Sequence, residues 1–342
     1  MRKFLCLCMI CLWGTCACAH EDFDTWKQNF QQEALKQGIS QETLDTYMPL
    51  MQHQPEIIRL DQHQPEFKQS LCQYLRARLS ETRLKKVPGV YEEHRKTFQR
   101  VESTYHVPAH YLLAFWGLET NFGATKGNFH LLSSLATLAY DTRRPTFFKK
   151  QLIALLRILQ EEKIEPPKGS WAGAFGHFQF MPTTFLSYAV DFNGDHKRDI
   201  YSNKEDAIAS AANYLASVGW DPKTRWGRVV RLPQNFNADL VGKKHPLAFW
   251  QKQGVMPKWS EQWNIHGQED LPAVLLAPWG VQNQAFLLYP NFYVIKKWNN
   301  SNWYALSVGL MSDIIDQRDV FRLKDCEKMS ESVQTNVKEN KK

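Results

Sequence analysis

The sequence has few cysteines outside its first eighteen residues and lacks the motifs of the common metal and nucleotide sites. Of seven cysteines among 342 residues, only Cys72 and Cys326 lie beyond residue 18. No histidine or cysteine spacing matches a zinc site, and HExxH, the P-loop, GxGxxG and the G-x-S-x-G elbow are absent. These absences argue against zinc, nucleotide-binding and serine-hydrolase chemistry. Cys72 and Cys326 are left either as one disulfide or as two free, buried thiols.

Charge of one sign is only mildly in excess, and long apolar runs are missing. The 42 basic residues exceed the 35 acidic ones by seven, but they are scattered along the chain and form no dense block. The sequence therefore predicts no nucleic-acid partner. Beyond residue 13, no stretch approaches the roughly 18 apolar residues of a membrane helix. The 43% of hydrophobic residues suffice for a sizeable core.

The N-terminus is typical of a secretory signal. Basic residues at positions 2 and 3 precede an apolar run over residues 4–13 and an A-x-A sequence that ends at Ala19. We expect cleavage after Ala19, which predicts an exported, soluble, periplasmic protein. A lipid anchor on Cys16 or Cys18 is the alternative, and it would be the one route to membrane association. It is less favoured because the usual leucine ahead of the cysteine is missing.

Beyond the signal, the pattern of residues divides the chain into regions and predicts a mainly α (α+β) fold. Polar sequence with helical periodicity gives way to strongly apolar helices, then to short β-branched runs between Pro, Gly and Asn, and finally to helix again. The predicted regions are a helical N-terminal domain over 20–106, further helices over 107–220, a small β-rich insertion over 221–290, returning helix over 291–326 and a polar tail over 327–342.

Glu119 is the first candidate for chemistry. Leu112, Phe115, Trp116 and Glu119 stand at i, i+3, i+4 and i+7, which places the carboxylate on an apolar helix face. Because desolvation disfavours a charged carboxylate, such a group gains a raised pKa, as a general acid near neutral pH requires. A buried structural glutamate, paired with an arginine or with backbone amides, fits the same pattern.

A glycine-rich stretch over residues 169–182 is the second candidate. Its small residues would let the backbone approach a ligand closely, Ser170 and Gln179 offer hydrogen bonds, and its aromatic rings offer stacking faces. A tight connection between two helices would explain the same composition.

Four motifs in order resemble one enzyme family. They are GLETNFGATKGNF from Gly117, SLATLAYDTRR from Ser134, GSWAGAFGHFQFMPTTF from Gly169 and DFNGDHKRDIYSNKEDAIASAANYL from Asp191. Together they closely resemble the lytic murein transglycosylase B family, and a fainter resemblance runs from about residue 65 to about residue 310.

The resemblance implies a lysozyme-like helical core that is interrupted by the β-containing insertion and completed after it. It implies cleavage of the MurNAc-β-1,4-GlcNAc bond of peptidoglycan strands without water, to give a 1,6-anhydro sugar. The family's catalytic glutamate falls on Glu119, which would act first as acid and then as base. No cofactor is required, and a monomer is expected. A hydrolytic muramidase using Glu119 and a non-catalytic peptidoglycan-binding protein are the alternatives.

The resemblance also implies residues that bind the glycan. Near the end of the chain, family members often read Arg-Tyr-Asn where this sequence has Lys297, Trp298 and Asn299. Trp298 can stack on a sugar but has no phenol hydroxyl, which puts a hydrogen-bonding role in doubt at that position. The expected substrate-binding residues are Ser170, Gln179, Tyr214, Asn299, Trp298 and Tyr74.

An acidic loop resembles an EF-hand. Asp191, Asn193, Asp195, the carbonyl of Lys197 and Asp199 fall at loop positions 1, 3, 5, 7 and 9, and oxygen ligands at alternate positions suit calcium. If calcium binds, we expect it to be structural rather than catalytic.

Two departures weaken the calcium prediction. His196 replaces the glycine at position 6, and Ser202 replaces the glutamate at position 12. The family resemblance suggests that Asp206 supplies the missing carboxylate. Alternatively, Ser202 and Glu205 form a capping box for the next helix, which would explain the segment without any metal.

Overall fold

A computed structural model describes residues 21–62, 69–259, 266–318, Phe321 and Cys326. The predicted signal, its two candidate lipid-anchor cysteines and the polar tail lie outside the described residues. Across the described ranges, no helix is both long and apolar enough to cross a membrane.

The N-terminal region is built from short helices, several of which begin at a side-chain cap. The carboxylate of Asp22 accepts hydrogen bonds from the backbone N–H groups of Asp24 and Thr25, and Ser70 forms a capping box with Gln73. The helices are α1 (Phe23–Lys36), α2 (Gln41–Tyr47), a 3₁₀ turn (Met48–Leu50), α3 (Pro55–Gln62), α4 (Leu71–Arg78), α5 (Glu81–Leu84), α6 (Val87–Glu93) and α7 (Arg95–Tyr105).

A second group of helices follows and is completed near the end of the chain. Two short strands in this part of the chain, β1 (Phe129–His130) and β2 (Lys168–Gly169), pair in antiparallel orientation. Buried Asp61 of α3 forms ion pairs with Arg143 and Arg144, which links the N-terminal helices to this group. The helices are α8 (Ala109–Thr120), α9 (Leu131–Tyr140), α10 (Pro145–Glu162), α11 (Pro182–Tyr188), α12 (Lys204–Ser217), α14 (Pro290–Trp298) and α15 (Asn302–Ile315).

Helix α8 differs from its sequence-based prediction. The spacing of Leu112, Phe115 and Trp116 suggested one apolar stripe, but every residue from Tyr111 to Leu118 is buried. The helix is therefore enclosed on all sides, and its apolar composition, rather than its periodicity, reports its burial.

Between α12 and α14 the chain forms a small antiparallel sheet. In β3, Val229 packs on the main core, whereas Val230 packs on a smaller core around Trp250. In β7, Phe286 likewise packs on the main core and Leu287 on the smaller one. The strand order is β4-β6-β7-β3-β5. The elements are β3 (Gly227–Arg231), a 3₁₀ turn (Ala238–Leu240), β4 (Lys244–Pro246), α13 (Leu247–Lys252), β5 (Met256–Pro257), β6 (Pro272–Leu276) and β7 (Ala285–Leu288).

A disulfide joins Cys72 of α4 to Cys326, with 5.6 Å between their Cα atoms. Of the two states that the sequence left open, the structure has the disulfide and not the pair of free thiols. Among the described residues, the predominance of helix with two small sheets confirms the predicted α (α+β) class. The predicted domain boundaries stay a prediction.

Candidate active site

Glu119 lies in the last turn of α8, where its side chain is only partly buried. The helix ends at Thr120, and the chain leaves it through Asn121, Phe122 and Gly123, all three with positive φ (51°, 63° and 86°). A run of left-handed residues turns the backbone sharply, which is the usual way for a helix to end. The carboxylate is thus placed at the exposed end of an otherwise enclosed helix.

Two donors converge on one oxygen of Glu119. The indole N–H of Trp298 donates to Oε1 at 3.0 Å, and the hydroxyl of Tyr304 donates to the same atom at 2.5 Å. Burial, the negative charge of Glu119 and the hydrogen bond to it raise the pKa of Tyr304 well above its usual value. Tyr304 therefore keeps its proton and remains a donor to the carboxylate.

The hydrogen bond from Trp298 answers the doubt raised by the sequence at that position. An indole has no hydroxyl, but its N–H takes the donor role. Tyr304 was missed by sequence reasoning. It lies in the first turn of α15, among apolar residues that carry no local chemical signal, and only the packing of α15 against α8 brings it to Glu119.

Aromatic rings hold Trp298 in place. Its ring centroid lies 4.7 Å from that of Phe115, 5.0 Å from Tyr214 and 5.3 Å from Phe180. The hydroxyl of Tyr214 donates to the carbonyl of Lys297 at 2.7 Å, and burial raises the pKa of Tyr214 to about 12. Tyr214 thus supports Trp298 and fixes the backbone beside it, while its hydroxyl proton is committed to the protein.

Two other predicted glycan contacts occupy different environments. Tyr74 is buried on α4, with its ring 5.8 Å from that of Trp303 and the Arg78 guanidinium 5.1 Å from its ring centroid. Asn299 is exposed at the C-terminal end of α14, directly after Trp298. Its exposure leaves the Asn299 amide accessible to a ligand.

The glycine-rich stretch packs closely against the loop that follows α8, so its small residues do more than open space for a ligand. A Cβ on Gly127 would lie 2.1 Å from the carbonyl oxygen of Gly169, so the small residues let two backbone segments approach each other. Gln179, with φ 51°, donates from Nε2 to the carbonyls of Lys126 and Gly176, both at 3.1 Å. The predicted close approach is present, but the group that approaches is another segment of the protein's own backbone.

Ser170 has a local hydrogen bond that leaves its proton available. Its Oγ accepts from the N–H of Ala174 at 3.0 Å and therefore can still donate its own hydrogen. The side chain is partly exposed.

The acidic loop brings three of its predicted ligands together. Carboxylate oxygens of Asp191, Asp195 and Asp206 all lie within 4.8 Å of one another. Asp206 is fully buried and accepts hydrogen bonds from the N–H groups of Phe192 and Asp199 at 2.8 and 3.0 Å. Burial raises the pKa of Asp206 above its usual value. A divalent cation would offset the cost of ionising this buried group.

One of the two departures from an EF-hand has a structural explanation. His196 adopts φ 67°, so it takes the left-handed turn that glycine makes at position 6. Asn193 and Lys197 both bond to Asp195, through the side-chain amide and the backbone N–H respectively. Asp199 accepts from two backbone N–H groups in the following turn.

The predicted capping box is wrong. The N-cap of α12 is Asn203, whose side chain accepts from the N–H groups of Glu205 and Asp206, whereas Ser202 is exposed and one residue too early. Glu205 instead pairs with Arg100 at 3.1 Å. The helix is therefore capped by Asn203 instead of Ser202, and this cap also needs no metal.

Residues 22–313 match the transglycosylase SLT domain family. The chain belongs to the transglycosylase SLT domain family. The membrane-bound lytic murein transglycosylase B of Escherichia coli is 30% identical over 233 residues, which make up 66% of this chain and 62% of that protein. The chain thus covers less than two thirds of the length of that relative.

Solved structures of the transglycosylase SLT domain family share the fold. SltB3 from Pseudomonas aeruginosa, in complex with NAG-anhNAM-pentapeptide, is 40% identical with a TM-score of 0.84, covering 87% of this chain and 80% of that one. Escherichia coli Slt35, in complex with calcium, is 26% identical with a TM-score of 0.72, covering 85% and 92% respectively. These matches confirm the family identified from the motifs and the predicted lysozyme-like helical core.

Proposed function

We propose that the protein is a lytic transglycosylase that cleaves the MurNAc-β-1,4-GlcNAc bond of peptidoglycan and leaves a 1,6-anhydro end. Family membership and relatives named as lytic transglycosylases support the reaction class. The observation that carries the proposal is the paired donation of Trp298 and Tyr304 to one oxygen of Glu119. Such an arrangement suits a group that must alternate between acid and carboxylate.

The two donors assign different tasks to the two oxygens of Glu119. Because Oε1 accepts two hydrogen bonds, the acid proton is best placed on Oε2. Glu119 transfers that proton to the glycosidic oxygen, and the bond between this oxygen and C1 of MurNAc breaks. The N–H of Trp298 and the O–H of Tyr304 then stabilise the negative charge that develops on the carboxylate.

The second half of the reaction reverses the proton transfer. The C6 hydroxyl oxygen of MurNAc attacks C1 and forms the 1,6-anhydro bond, while Glu119 takes the hydroxyl proton back onto its carboxylate. GlcNAc leaves with the first proton on its 4-oxygen, and no water is consumed. One carboxyl group thus serves both steps and ends in its starting state.

Several residues around Glu119 have groups suited to holding the glycan. We propose that Ser170 donates its hydroxyl proton and that Asn299 offers its amide group to sugar hydroxyls or acetamido groups. Gln179 offers its amide oxygen, because its Nε2 already donates to two backbone carbonyls. Partly buried Trp298 supplies ring surface, and buried Tyr74 supports the cleft through its contact with Trp303. Tyr214 contributes by fixing Trp298.

The test compares the protein lacking residues 1–19 with its Glu119→Gln variant on purified peptidoglycan, with soluble fragments identified by mass spectrometry. Glutamine can still accept from Trp298 and Tyr304 but has no acid proton to transfer. Glu42→Gln is the matched control, since Glu42 is exposed on α2. We expect 1,6-anhydro fragments from the wild type and the control only.

Other products would favour the alternatives. Reducing-end fragments that depend on Glu119 would indicate a hydrolytic muramidase. Binding to peptidoglycan without release of any fragment would indicate a non-catalytic module and would overturn the proposed reaction.

We propose further that the acidic loop holds a structural Ca²⁺. Asp191, Asp195 and Asp206, together with Asn193 and the carbonyl of Lys197, are the oxygen donors, and the ion would neutralise the carboxylates that the loop brings together. Calorimetric titration of metal-free protein with Ca²⁺ and with Mg²⁺ tests this site.

The matched variants are Asp195→Asn and Asp45→Asn, both at exposed positions. We expect Ca²⁺ to bind and to raise the melting temperature of the wild type and of Asp45→Asn, and the Asp195→Asn variant to bind at least tenfold more weakly. Equal affinity of the two variants would rule out this ligand set.

Export to the periplasm and a monomeric state belong to the same proposal. N-terminal sequencing of the protein from the periplasm should begin at His20, and light scattering should give the mass of one chain. A lipid-modified cysteine at the N-terminus would favour the anchored alternative.

A further inference from the structure

His177 lies behind the catalytic helix, in the glycine-rich stretch, and is 5% exposed. Its Nδ1 lies 3.1 Å from Nε1 of Trp116, a residue of α8 that is 1% exposed. An indole nitrogen can only donate, so Nδ1 of His177 must carry no proton. The imidazole is therefore neutral and holds its proton on Nε2.

The backbone of His177 is tied to the same helix end. The hydroxyl of Thr120 donates to the His177 carbonyl at 2.6 Å and accepts from the N–H of Gly123 at 2.9 Å. The His177 N–H donates to the carbonyl of Ile200 at 3.0 Å, which connects the acidic loop to the same point.

The contacts of His177 flank Glu119. Trp116 precedes the glutamate by three residues and Thr120 follows it by one. The ring also fills the space beside Gly123, where a Cβ would lie 2.4 Å from its atoms. His177 thus contacts both the last turn of α8 and the turn that follows it.

We propose that His177 is a positioning residue, which acts through Trp116 and Thr120 to hold the carboxyl group of Glu119 in its reactive orientation. The inference rests on the proposed function of Glu119 as the acid and base. A misplacement of about 1 Å at a reacting group can cost roughly 100-fold in rate, so a neutral hydrogen-bond acceptor behind the helix can control catalysis without touching the glycan.

The test separates positioning from general stability. His177→Leu removes the acceptor at similar volume, and His177→Asn restores an acceptor near the position of Nδ1. We expect His177→Leu to lower kcat on a soluble peptidoglycan fragment about 10- to 100-fold with KM within about twofold, measured well below its melting temperature. His177→Asn should regain most of this loss.

A double variant tests the route through Trp116. Since Trp116→Phe removes the donor, the Trp116→Phe/His177→Leu protein should be no slower than the slower single variant. Fully additive losses would show that the two residues act separately and would overturn the proposed route.

Nitrogen NMR of the wild type gives a readout that needs no activity. His177 should show an unprotonated Nδ1, and the Trp116 indole proton should be protected from exchange. A protonated Nδ1 overturns the proposal. So does a His177→Leu variant that loses stability but keeps kcat, or a His177→Asn variant that shows no recovery.

Failure of the proposed function would give different results from failure of the positioning role of His177. If the wild type releases no fragments, the proposed reaction falls, and the catalytic role of His177 falls with it even where NMR shows the expected tautomer. If the wild type is active and His177→Leu keeps its kcat, only the positioning role is lost.

Discussion

At the scale of single residues, Glu119 accepts hydrogen bonds from two side chains that lie near the far end of the chain. Both side chains donate a hydrogen bond to Oε1. Both are aromatic, and packing against neighbouring rings holds them in place. Hydrogen bonds to a charged group contribute about 1.5–3 kcal/mol each. Losing one should therefore affect the rate by an amount that is easy to measure.

Trp298→Phe should lower kcat about 10-fold or more, because the developing carboxylate loses one donor while the aromatic packing against Phe115 and Phe180 is largely kept. Steady-state rates on a soluble peptidoglycan fragment check this. Trp259→Phe, at a 38% exposed position in the insertion, is the matched control and should leave kcat unchanged. An unaltered kcat in Trp298→Phe would show that the indole N–H has no catalytic effect.

Acid should destabilise the protein through buried His177 and partly buried His110. Burial, followed by the charge of Lys126, lowers the pKa of His177 from 6.5 to about 4, and burial lowers that of His110 to about 4. Between these values the unfolded chain binds protons that the folded protein does not, so the free energy of unfolding falls as the pH drops from about 6.5 towards 4.

The check is urea unfolding at several pH values from about 7 down to about 5. The His177→Asn variant should lose less stability across this range than the wild type, because one of the contributing histidines is gone. His110 keeps the dependence from vanishing. Parallel curves for the two proteins would contradict the prediction.

At the scale of elements, the helix that carries Glu119 packs closely against α15. On α15, a Cβ at Gly309 would lie 2.2 Å from the ring of Trp226, and on α8 a Cβ at Gly117 would lie 2.7 Å from Cε of Met311. The Trp226 indole N–H donates to buried Asp313 at 3.0 Å, so this ring cannot easily move aside. The same contact attaches the start of the inserted sheet to α15.

Gly309→Ala should therefore lower the free energy of unfolding by about 1–3 kcal/mol through overpacking. Gly89→Ala on α6 is the matched control, since a Cβ there would meet nothing within 4 Å. It should be neutral or should stabilise by about 0.4–1 kcal/mol, because alanine has less freedom in the unfolded chain. Urea unfolding midpoints check both, and equal effects of the two changes would argue against the close packing.

At the scale of the whole molecule, two features connect distant parts of the chain. The disulfide between Cys72 and Cys326 links α4 to a residue 254 positions later. The inserted sheet has one face on the main core and the other on its own smaller core. The insertion therefore shares its hydrophobic packing with the main helical core instead of standing apart from it.

Reduction of the disulfide should lower the free energy of unfolding by about 2–4 kcal/mol, since the unfolded chain regains the freedom that the link removes. Urea unfolding with and without a reductant measures this. The Cys72→Ala/Cys326→Ala variant is the control and should not respond to the reductant. A wild type that is equally insensitive would show that the bond does not form in solution.

The sequence by itself determined the fold class and the candidate acid. Helical apolar segments and short β-branched runs are local patterns, so they predicted a helical protein with a small sheet. Four motifs in order, the first of which contains Glu119, indicated the family. The domain boundaries and the catalytic role of Glu119 stay predictions. So do the substrate roles of Ser170, Gln179, Tyr214, Asn299, Trp298 and Tyr74. Asp191 and Asp195 were predicted from the spacing of an EF-hand-like loop, and Asp206 was predicted from the family resemblance; the three carboxylates lie close together in the structure.

Only the tertiary structure decided which side chains surround Glu119 and how they act. Trp298 and Tyr304 lie 179 and 185 positions after it, and no local pattern reports such a contact. Packing likewise turned the hydroxyl of Tyr214 to a backbone carbonyl and brought His177 behind α8. The physical reason is that periodicity records which residues are buried, whereas hydrogen-bond partners depend on how separate helices and loops meet.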